Sequence, residues 1–309
     1  MKPLDHSQKP VVASFFDSAT NTVSHVVFDP DTHKAAVIDS VMDYGPASGR
    51  VSFESAERIV AYVREHGLQV LWHVETHIHA DHLSAAPYLQ AALGGRLGIG
   101  KNILGVQEIF GKVFNAGTDF ARDGSQFDHL WEDGERAMLG SIPLRVMYTP
   151  GHTPADVTYV IGDAAFVGDT LFMPDYGSAR CDFPGGDAAT LYRSVQKIYE
   201  LPSETRIFMC HDYLPEGREV YVWETTVEAE KARNVHLKSS IDEKTFVGVR
   251  TARDRTLAMP RLIIPAIQVN MRGGALPPAE SNGTHYLKIP LNGVFAARKG
   301  DAKQHTLDA

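Results

Sequence analysis

The segment Thr76-His77-Ile78-His79-Ala80-Asp81-His82 decides how this chain folds. It sets three imidazoles and a carboxylate within six residues, just after the apolar run Val70-Leu71-Trp72-His73-Val74. With 14 His in 309 residues, about 0.3 would fall in such a window by chance, so composition does not account for the cluster. Residues two apart on an extended segment point the same way, so His77 and His79 can face one cavity. Asp81 and His82 follow where a helix is expected to begin. Neutral imidazole suits zinc, iron and copper, and an added carboxylate suits zinc or iron.

Composition narrows the class of protein. A hydrophobic fraction of 43% over 309 residues supports a sizeable core in one large domain or two. The formal net charge of -8 carries no overall signature of DNA or RNA binding. No stretch approaches the ~18 apolar residues of a membrane span. The opening Met1 to Pro10 has no apolar signal core, and the two cysteines, Cys181 and Cys210, form no disulfide framework. These features lead us to expect a cytoplasmic protein with no nucleic-acid or membrane partner.

Strands alternate with helices along the chain. Val23–Phe28 and Ala35–Asp39 read as strands joined by a turn at Asp29-Pro30-Asp31-Thr32. Phe53, Ala56, Ile59, Val60 and Val63 recur at helical spacing between Ser52 and His66, with Gly67 as the stop. Val70–Glu75 reads as a buried strand, and Leu83–Leu93 as a helix closed by Gly94-Gly95. Leu144–Tyr148 is a strand, and a hairpin turns about Gly162-Asp163. Asp187 caps a helix reaching about Tyr199, and Ile207–Met209 is a further strand. Loop punctuation is heaviest between Gly111 and Gly140. The run Val227–Arg233 reads as a solvated helix face, and residues from Ala296 as a polar, frayed end.

On this outline the polar clusters all fall at C-terminal strand ends. His77, His79, Asp81 and His82 follow one strand and His152 another; Asp169 ends a third, and His211 a fourth. Side chains on different strands can converge there above a sheet edge, with rigid strands fixing ligands and loops leaving room for substrate.

The order His77-x-His79-x-Asp81-His82, then Thr149-Pro150-Gly151-His152-Thr153, then Gly168-Asp169-Thr170, then His211 resembles the metallo-β-lactamase superfamily. That resemblance implies an α/β fold, the αββα metallo-β-lactamase sandwich of two mixed β-sheets flanked by helices. We expect one such domain over residues 1–290, with a C-terminal extension from about 215 to 290 completing the substrate side. Residues 291–309 form a polar tail. A second series is more specific: Met173 to Asp187, Leu191-Tyr192-Arg193-Ser194-Val195, His211-Asp212-Tyr213 and Pro265 to Arg272. It resembles the persulfide dioxygenases, in particular the bacterial β-lactamase hydrolase-like branch.

The resemblance implies oxidation of the outer sulfur of glutathione persulfide by O2, giving sulfite and glutathione. It implies one Fe(II) per chain held by His77, His152 and Asp169, a facial triad with open positions for O2 and a thiolate-type ligand. Zinc is the alternative metal, but it is redox-inert. His79, Asp81, His82 and His211 would orient the triad, or hold a second metal as in hydrolytic relatives. Asp81, His82 and Tyr213 are the catalytic candidates. Arg180, Tyr213 and Lys231 are the candidates for holding glutathione, with Arg180 able to fork onto a carboxylate. Cys181 is a candidate persulfide acceptor, and Cys210 reads as core. A fused rhodanese has no room here, so a sulfurtransferase partner would be a separate chain, and a homo-oligomer (a dimer) is expected. The alternative readings are a two-metal hydroxyacylglutathione-type thioester hydrolase and a non-catalytic sulfide or metal sensor.

Overall fold

Alternation along two adjacent strands builds the centre of the molecule. In Thr22–Phe28 and Lys34–Ile38, Val26, Phe28, Ala35 and Val37 face one way, and Val27, Ala36 and Ile38 the other. Both faces are apolar, so both are covered. A computed structural model describes residues 9–293. The first set packs on helices Glu54–Glu65, Ala86–Leu93 and Ile263–Asn270 through Ile59, Val63, Leu89, Ala266 and Val269. The second set meets another sheet, burying Val146, Tyr159, Ile161, Phe166 and Phe208 between the two.

Each of these two sheets has six strands and mixes parallel with antiparallel pairing, and a small antiparallel sheet of Arg50–Ser52, Val41–Gly45 and Leu83–Ser84 accompanies them. The first runs in the order Val11–Asp17, Thr22–Phe28, Lys34–Ile38, Gln69–Glu75, Arg96–Gly100, His129–Trp131, and its last three pairings are parallel. The second runs Arg136–Leu139, Ile142–Tyr148, Val157–Ile161, Ala164–Phe166, Arg206–Phe208, Glu224–Thr226. Its one parallel pair joins Ala164–Phe166 to Arg206–Phe208. Helices Ala188–Tyr199 and Glu243–Asp254 cover its outer face, with Leu191, Val195, Ile198 and Phe246 on Val160, Ala165 and Ile207. Four layers result, helix–sheet–sheet–helix, which is the expected αββα sandwich. No helix among the described residues is long and apolar enough to cross a membrane.

Several local expectations need correction. The segment from Gly111 to Gly140 is mainly loop, as expected, but it also carries two short strands that were not expected, His129–Trp131 and Arg136–Leu139, which join the edges of the two sheets. Strands of three or four residues show too little alternation to be read locally. The helix expected from Leu83 begins only at Ala86, and Leu83–Ser84 pairs instead with Val41–Met42. The carbonyls of His79 and His82 both accept from Asn270 Nδ2, at 2.9 and 2.8 Å. They are therefore engaged by Asn270, and no helix starts through them. Val227–Arg233 is helical but not simply solvated, since Val227 and Glu230 are fully buried. Burial pushes the Glu230 carboxyl up to about 8, against the hydrogen bond from Asn234. Of the expected polar tail, residues 294–309 lie outside the described residues.

Gly151 shows how tightly the loops above the sheets are packed. Its φ is +146°, and a Cβ there would lie 2.3 Å from the Leu191 Cα. Its carbonyl accepts from Asp187 N, and Ser194 Oγ donates to Pro150 O at 2.6 Å, so the loop is seated on a helix whose N-cap is Asp187. The backbone of Leu191 cannot retreat. Gly151→Ala is expected to cost about 3 kcal/mol of stability, measured as a lowered urea midpoint at unchanged m-value.

Candidate metal centre

Asp39 ends the strand Lys34–Ile38 and is fully buried, in a left-handed conformation at φ 51°. Its carboxylate accepts from Thr76 N at 2.7 Å, Thr76 Oγ1 at 2.8 Å and His79 Nε2 at 3.0 Å. Thr76 Oγ1 has a single proton, and it goes to Asp39. The 3.0 Å contact of Thr76 Oγ1 with His77 Nδ1 must therefore carry the imidazole proton. That leaves the lone pair of His77 on Nε2, which lies 3.9 Å from Asp169 Oδ2. Burial, helped by the neighbouring His79, pushes the His77 pKa well below its ordinary value, so the ring is neutral.

The same device recurs at the other strand ends. His152 Nδ1 donates to the Arg180 carbonyl at 2.7 Å, leaving Nε2 3.6 Å from Asp169 Oδ2. His211 Nδ1 donates to Asn21 O at 3.1 Å, leaving Nε2 3.1 Å from Asp81 Oδ2 and 3.4 Å from Asp169 Oδ1. Each backbone carbonyl fixes a tautomer and aims the opposite nitrogen inward. Asp169 sits in the 3-10 turn Gly168–Thr170, directly after strand Ala164–Phe166. At Gly168, φ is +52° and a Cβ would meet Thr76 Oγ1 at 2.5 Å, so glycine lets this turn press against the residue that anchors His77.

His79 differs from the others. Its Nε2 lies between Asp39 Oδ1 at 3.0 Å and Glu75 Oε2 at 3.1 Å. Burial alone would lower this imidazole, but the two carboxylates override it and hold the pKa well above its ordinary value. With Nε2 engaged by both carboxylates, Nδ1 is the nitrogen left facing the centre, and it can ligate only after giving up its proton. His82 Nδ1 lies 3.3 Å from Thr22 Oγ1 and 3.7 Å from Asp81 Oδ1.

Two ligand sets meet at Asp169. His77, His152 and Asp169 form one group, and His79, Asp81, His82 and His211 another, the atoms of each lying within 4.8 Å of one another. Six buried atoms here have no hydrogen bond: His77 Nε2, His79 Nδ1, His82 Nε2, His211 Nε2, Asp81 Oδ2 and Asp169 Oδ1. Buried polar atoms rarely go unsatisfied, and each costs about 1–3 kcal/mol when it does. Imidazole nitrogens converging on carboxylate oxygens are what a bound divalent cation satisfies, displacing any proton that a ring nitrogen carries, so the donor set fits a metal.

The centre opens into a cavity of about 350 Å³, within the usual range for small-molecule sites. Asp81, His152 and Asp169 form its floor, and Phe172, Tyr176 and Tyr213 one wall. Tyr213 stacks on His211 with ring centroids 5.5 Å apart. Burial and the charges of Asp81 and Asp169 push its phenol well above the ordinary value, so it is a donor. Arg180 also lines the cavity, but its guanidinium is already forked onto Asp182 at 2.5 and 2.8 Å and donates to Ala258 O at 2.6 Å. Lys231 is not among the lining residues; its Nζ lies 3.4 Å from Tyr199 O. Cys181 and Cys210 are buried free thiols, and burial pushes both pKa values up, so neither presents a reactive thiolate.

The opposite wall comes from helix Glu243–Asp254 and the loop after it. Arg250 is paired with Asp254 at 2.6 Å, and the two are 2% and 5% exposed. Arg250 Nη1 donates to Ser178 O at 3.0 Å, and Asp254 Oδ2 accepts from Cys181 N at 2.9 Å. The segment 178–181 is thus held from behind while its Arg180 carbonyl holds His152. Sequence reading missed Asp39, Glu75 and the Arg250–Asp254 pair. The signal for the first two was present, since each is a carboxylate ending an apolar strand. The pair had no local signal.

The profile of the metallo-beta-lactamase superfamily matches residues 19–211, and the chain belongs to that superfamily. A probable metallo-hydrolase of Burkholderia pseudomallei is 54% identical over 293 residues, covering 92% of this chain and 99% of that one. Glyoxylase B2 of Dictyostelium discoideum is 46% identical, covering 93% and 98%. The mitochondrial persulfide dioxygenase ETHE1 of Bos taurus is 33% identical over 271 residues, covering 87% and 90%. Among solved structures, ETHE1 from Myxococcus xanthus superposes with a TM-score of 0.67 at 26% identity, covering 86% of this chain and all of that one, 100%.

Two outcomes test the supports of the centre. Asp39→Asn removes a charge-assisted acceptor from His79 and is expected to weaken metal binding by ~10–100-fold, read by chelator competition. Arg250→Met strands the Asp254 carboxylate in the interior and is expected to cost about 3–5 kcal/mol in a urea titration of the metal-loaded protein. Replacing both partners, Arg250→Met with Asp254→Leu, is expected to recover most of that loss.

Proposed function

We propose that this chain is a glutathione-dependent persulfide dioxygenase that holds one Fe(II) with His77, His152 and Asp169. The balanced reaction takes glutathione persulfide, O2 and water to glutathione, sulfite and two protons. Bound ferrous iron supplies the redox chemistry and the open coordination positions that O2 and a sulfur ligand require. The observation that carries the reading is the arrangement of donors: the Nδ1 atoms of His77 and His152 are each engaged by a separate oxygen, which turns both Nε2 atoms toward the Asp169 carboxylate beside an open cavity. Likeness to the persulfide dioxygenase reaches well past the segment matched by the superfamily profile, since it spans 87% of the chain.

The remaining residues take supporting roles. His79 is engaged on Nε2 by two carboxylates, which suits a part that braces the centre. Tyr213 keeps its phenolic proton and donates toward the reacting sulfur, with Asp81 near it in the cavity lining and His82 buried behind, against His79 and His211. Phe172 and Tyr176 exclude water from that side. Residues from about 215 to 290 complete the substrate side, through the wall built on Arg250 and Asp254. A separate sulfurtransferase supplies the persulfide.

A second reading has its own observation. The ligand atoms of His79, Asp81, His82 and His211 are all present and without hydrogen bonds on their inward side, as a two-metal thioester hydrolase requires. The metal content of protein loaded with iron or with zinc, measured beside activity, separates the two. The dioxygenase is expected to carry about one iron per chain, to consume O2 with glutathione persulfide, and to lose that activity in Asp169→Asn. Two metals per chain with cleavage of S-lactoylglutathione and no O2 uptake would overturn the proposal.

A further inference from the structure

Four guanidiniums line the cavity above the metal centre: those of Arg180, Arg250, Arg253 and Arg261. Two are neutralised within the fold, Arg180 by Asp182 and Arg250 by Asp254. Arg253 and Arg261 are exposed at the rim, and neither forms an ion pair among the described residues. Arg253 leans over the Tyr176 ring at 5.8 Å, which places its charge beside the aromatic wall. Arg261 also borders a neighbouring cleft that contains Asp17, Asp43 and Glu54. Asp43 there is held by Ser55, and Asp17 by Thr20.

The cavity therefore has two chemically distinct ends. Its floor is the metal centre, with Asp81 and Asp169. Its rim carries two unneutralised cations in a protein of net charge -8. Apolar side chains, among them Phe172, Leu257, Pro260 and Leu262, make up much of the remaining lining. A ligand that suits this order has a soft group for the metal, a short uncharged middle and an anionic far end. Glutathione carries its two carboxylates remote from the sulfur, one at each end of the tripeptide.

We propose that Arg253 and Arg261 are specificity-determining residues that bind the carboxylates of the thiol carrier. The site thereby selects dicarboxylate thiols over small or uncharged persulfides. This rests on the reading of the cavity as a glutathione-derivative site. It moves the anion contact away from Arg180, whose use would require removing its guanidinium from Asp182 and from the Ala258 carbonyl. Arginine suits the role because its planar fork pairs with carboxylate on two parallel hydrogen bonds.

The test is binding of S-methylglutathione, a thioether that is neither a persulfide nor a thioester, to the metal-loaded protein by calorimetry. The double variant Arg253→Gln with Arg261→Gln is expected to bind it ~10–100-fold more weakly. The diethyl ester of S-methylglutathione is expected to bind the wild-type protein weakly and to lose almost nothing in the double variant. Arg193→Gln removes a charge elsewhere on the surface and is expected to leave both affinities unchanged. The proposal is overturned if the double variant binds the diacid as the wild type does, or if diacid and diester weaken equally. In steady-state turnover the same variant is expected to raise KM with kcat retained. The binding measurement does not depend on which reaction the centre performs. A protein that cleaves thioesters and consumes no O2 would fail the test of the preceding subsection and still pass this one.

Discussion

One buried carboxylate organises this protein. Asp39 takes three hydrogen bonds, from the backbone and hydroxyl of Thr76 and from His79 Nε2. By accepting the Thr76 hydroxyl proton it makes Thr76 an acceptor for His77, and so sets which nitrogen of His77 faces the centre. By accepting from His79 it turns Nδ1 of that ring inward. Two histidines that lie two residues apart thus present different nitrogens, because one neighbour reads them from different sides. A buried carboxylate with fewer partners would be costly; here burial raises its pKa, but His79 and Thr76 outweigh that and keep it low.

The rest of the centre is held by parts of the chain far from it in sequence. Asn270 spends both its amide protons on the carbonyls of His79 and His82, and its oxygen accepts from Ser84 N at 2.8 Å. The histidine loop is therefore shaped by the end of a helix nearly two hundred residues later. Arg250 and Asp254 do the same for the segment that carries the Arg180 carbonyl. Residues 250–270 lie beyond the segment shared across the superfamily, residues 19–211, yet they fix the backbone around ligands within it. Such indirect supports let one metal-binding scaffold serve different reactions, since walls and rims can change while the ligands stay.

Much of this was legible before any coordinates. Residues ending apolar strands, such as His77, His152, Asp169 and His211, could be read as convergent because strand ends in such folds share one edge. The Asp187 cap and the helix through Ile59 and Val63 follow from local spacing. Other features were not legible. Nothing near Arg180 announces that its guanidinium is taken by Asp182 and a carbonyl 78 residues on. Nothing near Lys231 says that its amine lies on the Tyr199 carbonyl, or that Glu230 beside it is buried.

The sequence by itself determined the layered architecture and the candidate ligand residues, because strand alternation and clustered imidazoles are local properties of the chain. Only the tertiary structure decided which nitrogen of each histidine faces inward, which arginines are spent within the fold, and which stand at the cavity rim without an ion pair among the described residues. Those outcomes depend on single hydrogen bonds between residues remote in sequence, such as Asn21 with His211 or Arg250 with Ser178. A hydrogen bond acts over about 3 Å, and only the folded chain brings such partners within that distance.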